Sequence, residues 1–211
     1  MTKSHGFSIT EVLISVLVVA IVAAIVLPMK IIDINQAERI AKWKASYVEI
    51  MYSFKLMKKN ELKLITAYKN NLFLKPEDYW KHYIKYCNID KEITERTDFS
   101  QYRHVFLNGK IIKHISKYKA DNFVILKDGT ILGFTGLKRN FAETPLGILF
   151  VDVDGFSMRN FIGKDVFILL IYPDRIEPMG NNSSIQEMKE DCSAIGSGLK
   201  CSAYYLVGSS F

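Results

Sequence analysis

Residues that commonly carry catalysis or bind metal ions are few in this chain of 211 residues. It has four histidines and three cysteines. No histidine forms a metal-ligand pair with a cysteine or glutamate at helical spacing. Neither a Ser-His-Asp arrangement nor a glycine-rich phosphate loop is found. The sequence therefore gives no support for an enzyme, and we expect no cofactor and no metal.

Charge is almost missing from the stretch between Phe7 and Leu27, where Glu11 is the only charged residue. A helix needs about 20 apolar residues to cross a bilayer, so this run is long enough to be a membrane segment. A carboxylate inside such a span costs about 2.5 to 3.5 kcal/mol on insertion scales and normally has a partner. Glu11 therefore requires an explanation.

Two simpler interpretations of the apolar run are a secretory signal peptide and a plain single-pass anchor. A signal peptide has an apolar region of about 7 to 15 residues and a small-x-small cleavage site. Here the run is longer and ends at Pro28 without a clear Ala-x-Ala. A plain anchor needs only length, so it remains an alternative.

The leader before the span, Met-Thr-Lys-Ser-His-Gly, is followed by Phe7 and, four residues on, Glu11. This pattern resembles the amino-terminal signature of type IV pilins and of the pseudopilins of type II secretion systems. The resemblance implies that a prepilin peptidase cuts after Gly6 and that the new amino terminus at Phe7 is N-methylated. It also implies that Glu11 of one subunit pairs with the Phe7 amine of a neighbour, which makes a buried charge tolerable during assembly.

A long helix and one domain are expected after the leader. We expect residues 1–6 to be the leader and residues 7–28 the membrane and filament-core segment. Residues 29–58 are predicted to continue the helix, because apolar residues recur there every three or four positions on one face: Ile34, Ala37, Ala41, Ala45, Val48 and Tyr52. This stripe is expected to pack on a soluble domain, since about 180 residues remain after the leader and span, enough for one domain with its own core.

Residues 59–101 are predicted to be a helical insertion, with helices at Leu56–Tyr68 and Pro76–Tyr86. An aromatic side within the second helix is interleaved with lysines: Tyr79, Trp80, Tyr83 and Tyr86. Such a pattern can bind single-stranded nucleic acid by stacking and charge, but core packing explains it with fewer assumptions. The wider region from Lys30 to Ala120 is basic, with 19 basic against 10 acidic residues. Its lysines either solvate helices or attract DNA or an anionic surface.

Residues 102–211 are predicted to form an antiparallel sheet, because the apolar period shifts toward two. Two hairpins are expected, one with an Asn108-Gly109 turn between residues 104–107 and 110–113, the other with a turn at 127–129 between strands 122–126 and 130–134. Further strands are expected at Leu146–Val153 and Val166–Tyr172. The predicted fold is α+β, with a long amino-terminal helix against the apolar face of this sheet.

The stretch Val151-Asp-Val-Asp-Gly-Phe followed by Gly163-Lys-Asp-Val-Phe also resembles the sheet region of pilin-like subunits. Its carboxylates, Asp152, Asp154 and Asp165, raise the alternative of a calcium site. The spacing lacks the remaining positions of an EF-hand, so a turn that ends a strand is the preferred interpretation.

Cys192 and Cys201 stand nine positions apart and bracket a Ser/Gly-rich loop. On an exported domain such a pair is expected to form a disulfide, which would stabilise the fold by about 2 to 3 kcal/mol. Similar pilins close a carboxy-terminal loop in this way. Cys87 would remain unpaired.

The resemblance predicts a structural subunit that is inserted in the cytoplasmic membrane as a single-pass protein, with its carboxy-terminal domain extracytoplasmic, and then added to a periplasmic or cell-surface filament. Its partners would be other subunits, the prepilin peptidase and the membrane. The long insertion favours a minor pilin or pseudopilin. The alternatives are a minor pilin that binds DNA or a surface through its basic half, and an unrelated membrane-anchored domain.

Overall fold

The protein, seen in a computed structural model, has an α+β fold. The structure describes residues 8–93, 104–110, 122–139, 141, 143–155 and 160–207, with the backbone alone for 27–33. It divides into two compact units, Met1–Glu38 and Arg39–Phe211.

Three helices come first in the chain. Helix α1 spans Ile9–Asn60, which confirms that the helix continues beyond the apolar run. Helix α2 spans Leu62–Asn70, and α3 spans Pro76–Tyr83, with proline in its first turn and a 3-10 turn at Ile84–Tyr86 after it. The single helix predicted over Leu56–Tyr68 is wrong, because the helix is interrupted at Glu61, which adopts a non-helical φ of −117° and ψ of 38°.

The face of α1 predicted to be buried is the exposed one. Within the second unit, the predicted stripe residues Ala41, Ala45, Val48 and Tyr52 are all exposed. The buried stripe lies opposite and consists of Ile40, Trp43, Ser46, Ile50, Ser53, Phe54 and Met57. The residues of this buried stripe also recur at helical spacing. Two serines interrupt its apolar pattern, but its large side chains decide which face of the helix packs against the rest of the unit.

Six strands form one antiparallel sheet in the order β1-β3-β4-β5-β7-β8. Their bounds are β1 Ile89–Ile93, β3 Asn122–Leu126, β4 Ile131–Gly136, β5 Gly147–Asp152, β7 Val166–Ile171 and β8 Ile176–Pro178. The predicted hairpin between β3 and β4 is confirmed, with Ile125 opposite Ile131 and Gly129 at a φ of 88° in the turn. A left-handed residue there is typical of a three-residue hairpin loop.

Both faces of the sheet are buried. Leu149 and Val151 of β5 face the core shared with the helices, whereas Ile148 and Phe150 lie in a second apolar cluster. A strand that is buried on both faces has an unbroken apolar run in its sequence, as β5 does, rather than alternating apolar and polar residues. The expectation of a single apolar face was therefore incomplete.

Three regions of the fold differ from the predicted layout. Strand β1 lies in the segment expected to be a helical insertion and forms one edge of the sheet. Strand β2, His104–Val105, pairs in parallel with β6, Asn160–Phe161, rather than within the predicted hairpin, whose residues 111–113 lie outside the described residues. The tail contains two short helices, α4 at Ile185–Asp191 and α5 at Cys201–Tyr204, where only a loop was expected.

Candidate assembly site

The amino-terminal part of α1 is an apolar helix that the described part of the chain does not bury. The segment Ile9–Val26 has 18 residues and a mean hydropathy of 2.8, and none of these residues is buried in the described structure. It is long and apolar enough to cross a membrane by length and composition. A helix that is apolar on every side needs an apolar surrounding, either lipid or other helices.

Glu11 lies in the first turn of this helix. Its backbone N–H donates to Ser8 Oγ at 3.2 Å, and Ser8 Oγ lies 2.8 Å from Thr10 Oγ1. This contact is half of a capping box, the Ser-x-x-Glu pattern that sequence reasoning missed. A carboxylate in the first helical turn is also favoured by the helix dipole. The chain thus contains one local reason for a glutamate at this position.

The two residues of the predicted processing site, Gly6 and Phe7, lie outside the described residues. Within the described part of the chain, Glu11 forms no ion pair. Its pairing with the Phe7 amine of another copy stays a prediction.

In the second unit, Trp43 fixes α1 to the sheet. Its ring is fully buried and stacks on Phe167 of β7, with ring centroids 4.6 Å apart. Its Nε1–H donates to the backbone oxygen of Ser202 at 3.2 Å, and the Ser202 hydroxyl accepts the Ile168 N–H at 2.7 Å. One tryptophan therefore joins the helix, the central sheet and the carboxy-terminal tail.

The aspartates of the second motif build a turn. Asp152 Oδ1 accepts the N–H groups of Asp154 and Gly155, each at 3.1 Å, and Gly155 has a φ of 74°. This geometry is an Asx turn, which is the role preferred for Asp152 on the sequence. Among the described residues, no group of three or more His, Cys, Asp or Glu side chains is arranged to hold a metal ion.

The turn also carries an ion pair and a perturbed carboxyl group. Arg39 Nε lies 3.3 Å from Asp154 Oδ2, which ties α1 to the turn after β5. Burial, reinforced by the nearby Asp154, raises the pKa of Asp165 to about 7, against a hydrogen bond from the Phe161 N–H and the charge of Arg39. Asp165 is therefore largely protonated in mildly acidic solution.

A disulfide joins Cys192 at the end of α4 to Cys201 at the start of α5, with Cα atoms 5.3 Å apart. Asp191 holds the loop between them, because its Oδ1 accepts the Ser197 N–H at 2.9 Å and its Oδ2 the Lys200 N–H at 2.8 Å. The loop contacts the second motif directly. A Cβ on Gly163 would lie only 2.7 Å from Cys201 Sγ.

Cys87 is the free cysteine. Burial raises the pKa of its thiol to about 11. Its Sγ–H points to the Tyr83 backbone oxygen at 3.8 Å. The thiolate is thus disfavoured at neutral pH, and the half-buried residue packs against the core as a small hydrophobe.

Three of the four aromatic residues considered for nucleic-acid stacking are part of the core. Tyr79, Trp80 and Tyr83 are buried, and Trp80 stacks on Phe134 with centroids 5.1 Å apart. Tyr83 donates its hydroxyl to the Ile50 backbone oxygen at 3.2 Å. A buried ring cannot stack on a base, so core packing is the role of these three residues.

Comparison with protein families gives a match at the amino terminus. The family described as the prokaryotic N-terminal methylation motif matches residues 1–27. Neither curated proteins nor solved structures gave a match. The matched residues include Gly6, Phe7 and Glu11 and cover the beginning of α1. The chain therefore carries the type IV prepilin-like signature at its amino terminus, and this signature together with the exposed apolar helix fits a membrane-anchored, pilin-like protein.

Proposed function

We propose that the chain is a structural subunit of a type IV pilus or of a type II secretion-type filament. A prepilin peptidase cuts after Gly6, and Phe7 becomes the N-methylated amino terminus. The single-pass subunit sits in the cytoplasmic membrane with its carboxy-terminal domain outside. It then enters a helical filament through residues 7–28.

The observation that carries this proposal is the coincidence of two findings on one segment. The methylation motif matches residues 1–27, and the 18 residues Ile9–Val26 form an apolar helix of which no share is buried by the described residues. A plain anchor accounts for the helix but not for the motif. The exposed helix is what a subunit needs if it exchanges lipid for the helices of other subunits.

Glu11 is the residue that distinguishes assembly from anchoring. Once the leader is removed, the Phe7 amine is the cation nearest to it along the chain, and a neighbouring copy supplies the same group. Glu11→Ala relieves an insertion penalty of about 2.5 to 3.5 kcal/mol and deletes the pairing. Membrane insertion should therefore survive, while filament entry should fail.

The experiment separates cells that carry Glu11→Ala into membranes and sheared surface material. The variant should accumulate in the membrane as cleaved monomer. Ser15→Ala is the matched control, because it removes a polar side chain one turn further along the helix, where Ser15 Oγ donates to the Glu11 backbone oxygen at 2.8 Å. Wild-type amounts of Glu11→Ala in the sheared fraction would contradict the assembly role.

The leader is tested separately by Gly6→Val. A branched side chain at the cut should leave the leader attached. A mature chain that still begins at Phe7 in this variant would count against processing by a prepilin peptidase.

A further inference from the structure

Helix α1 begins at Ile9, and Ser8 stands directly before it as its N-cap. The Ser8 backbone oxygen accepts the Val12 N–H at 3.2 Å, and its Oγ accepts the Glu11 N–H, also at 3.2 Å. An N-cap accepts in this way with both its carbonyl and its side chain, because the first N–H groups of a helix have no partner within the helix. Ser8 therefore supplies an acceptor that the helix itself lacks.

An acceptor at this position matters more in an apolar surrounding than in water. The run that follows is long and apolar enough to cross a membrane, and lipid offers no hydrogen bonds to an unsatisfied N–H. The Thr10 hydroxyl lies 2.8 Å from Ser8 Oγ and holds it over the first turn. The start of α1 is thus fixed by groups of the chain itself.

Gly6, two positions before Ser8, offers the same helix a second start. Glycine ranks below serine as an N-cap but far above alanine. With Gly6 as the cap, the helix would begin at Phe7. The Gly6 carbonyl would then accept the Thr10 N–H, because helical hydrogen bonds join residue i to residue i−4. Ser8 and Gly6 are therefore competing caps.

The Gly6 carbonyl is also the group that a prepilin peptidase attacks in the proposed function. In a helix that begins at Phe7, this oxygen is held by a hydrogen bond within the first turn. Proteases cut the opened form of a chain, and the rate follows the population of that form when opening is fast. A helix that begins at Ile9 leaves the scissile bond before the cap.

We propose that Ser8 is a positioning residue for the cleavage. By capping α1, it holds the start of the helix at Ile9 and keeps the Gly6 carbonyl out of the helical hydrogen bonds. Ser8 acts through the helix start and makes no contact with the reacting atoms in this role. The inference rests on the proposed function and adds a residue to its processing step.

The expected effect follows from the strength of the cap. Ser8→Ala replaces a strong cap with a very weak one, which shifts the ratio of the two helix starts by roughly 2- to 30-fold. Alanine is also the best helix former, so residue 8 would join the helix. Cleavage after Gly6 should slow by a similar factor.

The rate of cleavage is measured on the full-length chain in membrane vesicles with added prepilin peptidase. Mass spectrometry of the amino-terminal peptide gives the cleaved fraction against time. Ser8→Ala should be cut several-fold more slowly than wild type, whereas Ser8→Asn should keep nearly the wild-type rate, because asparagine caps as well as serine does.

Ser15→Ala is the matched control for loss of a hydroxyl. Ser15 lies two turns further along α1, where its Oγ donates to the Glu11 backbone oxygen at 2.8 Å. This variant should be cut at the wild-type rate. A wild-type rate for Ser8→Ala, or equal slowing of Ser8→Ala and Ser8→Asn, would overturn the proposal.

A proline variant separates the helix start from recognition of the hydroxyl. Ser8→Ala combined with Ile9→Pro has no hydroxyl at residue 8, but proline is favoured at the first helical position and disfavours a helical conformation in the residue before it. The helix should again begin at residue 9, and cleavage should recover. If the double variant stays as slow as Ser8→Ala, the peptidase reads the hydroxyl itself and the capping role is wrong.

The wild-type chain separates this inference from the proposed function. If wild type is cut after Gly6 and the Ser8 variants are cut at the same rate, the capping role is wrong and the proposed function stands. If wild type is not cut after Gly6, the proposed function fails and the inference fails with it.

Discussion

Substitutions on the two faces of α1 separate its buried side from its exposed side. Trp43→Ala removes a fully buried ring that stacks on Phe167 and donates to the Ser202 backbone oxygen. Truncating a buried tryptophan costs about 3 to 5 kcal/mol. Val48→Ala, on a residue that is 67% exposed, should stay within about 0.5 kcal/mol.

The two variants are compared by thermal unfolding of the full-length chain in mild detergent, followed by near-ultraviolet circular dichroism. For a unit of this size, each kcal/mol shifts Tm by about 2 to 4 °C, so Trp43→Ala should lower Tm by roughly 6 to 20 °C. Trp43→Phe keeps most of the packing and leaves the Ser202 oxygen without its donor, which should cost about 1 to 3 kcal/mol. Equal losses for Trp43→Ala and Val48→Ala would refute the assignment of the buried face.

Three further predictions concern the second unit. In the folded state the pKa of Asp165 is raised to about 7 from 3.8, so its contribution to stability is present at pH 4 and is lost as the pH rises to 7. The Tm of Asp165→Asn should therefore rise relative to the Tm of wild type over that range. A constant difference between the two Tm values would argue against the raised pKa. Cys192→Ser should lower the free energy of unfolding by about 2.5 to 3 kcal/mol for a loop of this length, and peptide mapping without reductant should recover Cys192 joined to Cys201. Cys87 should resist alkylation at pH 7.5 in the folded chain and react once urea is added, whereas rapid labelling of the native protein would show that its thiol is accessible.

The sequence predicted those elements whose signals lie within a few neighbouring residues. The turn at 127–129, the apolar strands at β5 and β7 and the proline at the start of α3 each carry their own residue chemistry. Strands β3, β4, β5 and β7 and the long helix were predicted from such patterns, so the α+β layout could be read from the sequence. The disulfide pairing followed from spacing, because only Cys192 and Cys201 bracket a short loop.

The buried face of α1 could not be read from apolar spacing alone. Both faces of the helix have helical periodicity, and apolar spacing points to the face with alanine, valine and tyrosine rather than to the face with Trp43 and two serines. Ser46 Oγ lies 3.2 Å from Thr130 Oγ1 in the interior, so a polar residue on the buried face has a partner that only the tertiary fold supplies. A size-weighted pattern would have favoured the side with Trp43, Ile50 and Phe54.

Strand β1 was missed because its residues do not look like a strand. Ile89–Ile93 reads Ile-Asp-Lys-Glu-Ile, with three charged residues in the middle. Such a segment is suited to the edge of a sheet, where charge protects the open side. Strand β1 pairs with β3, which is distant from it in the sequence, and local β-propensity does not reveal such a pairing.

The amino-terminal mass of the native protein tests the central claim most directly. The chain is purified from membranes and from sheared surface material, and its amino-terminal peptide is analysed by mass spectrometry. The account predicts a chain that begins at Phe7 and carries one methyl group on the amine. A chain that begins at Met1, or one cut at a position other than Gly6, would contradict it.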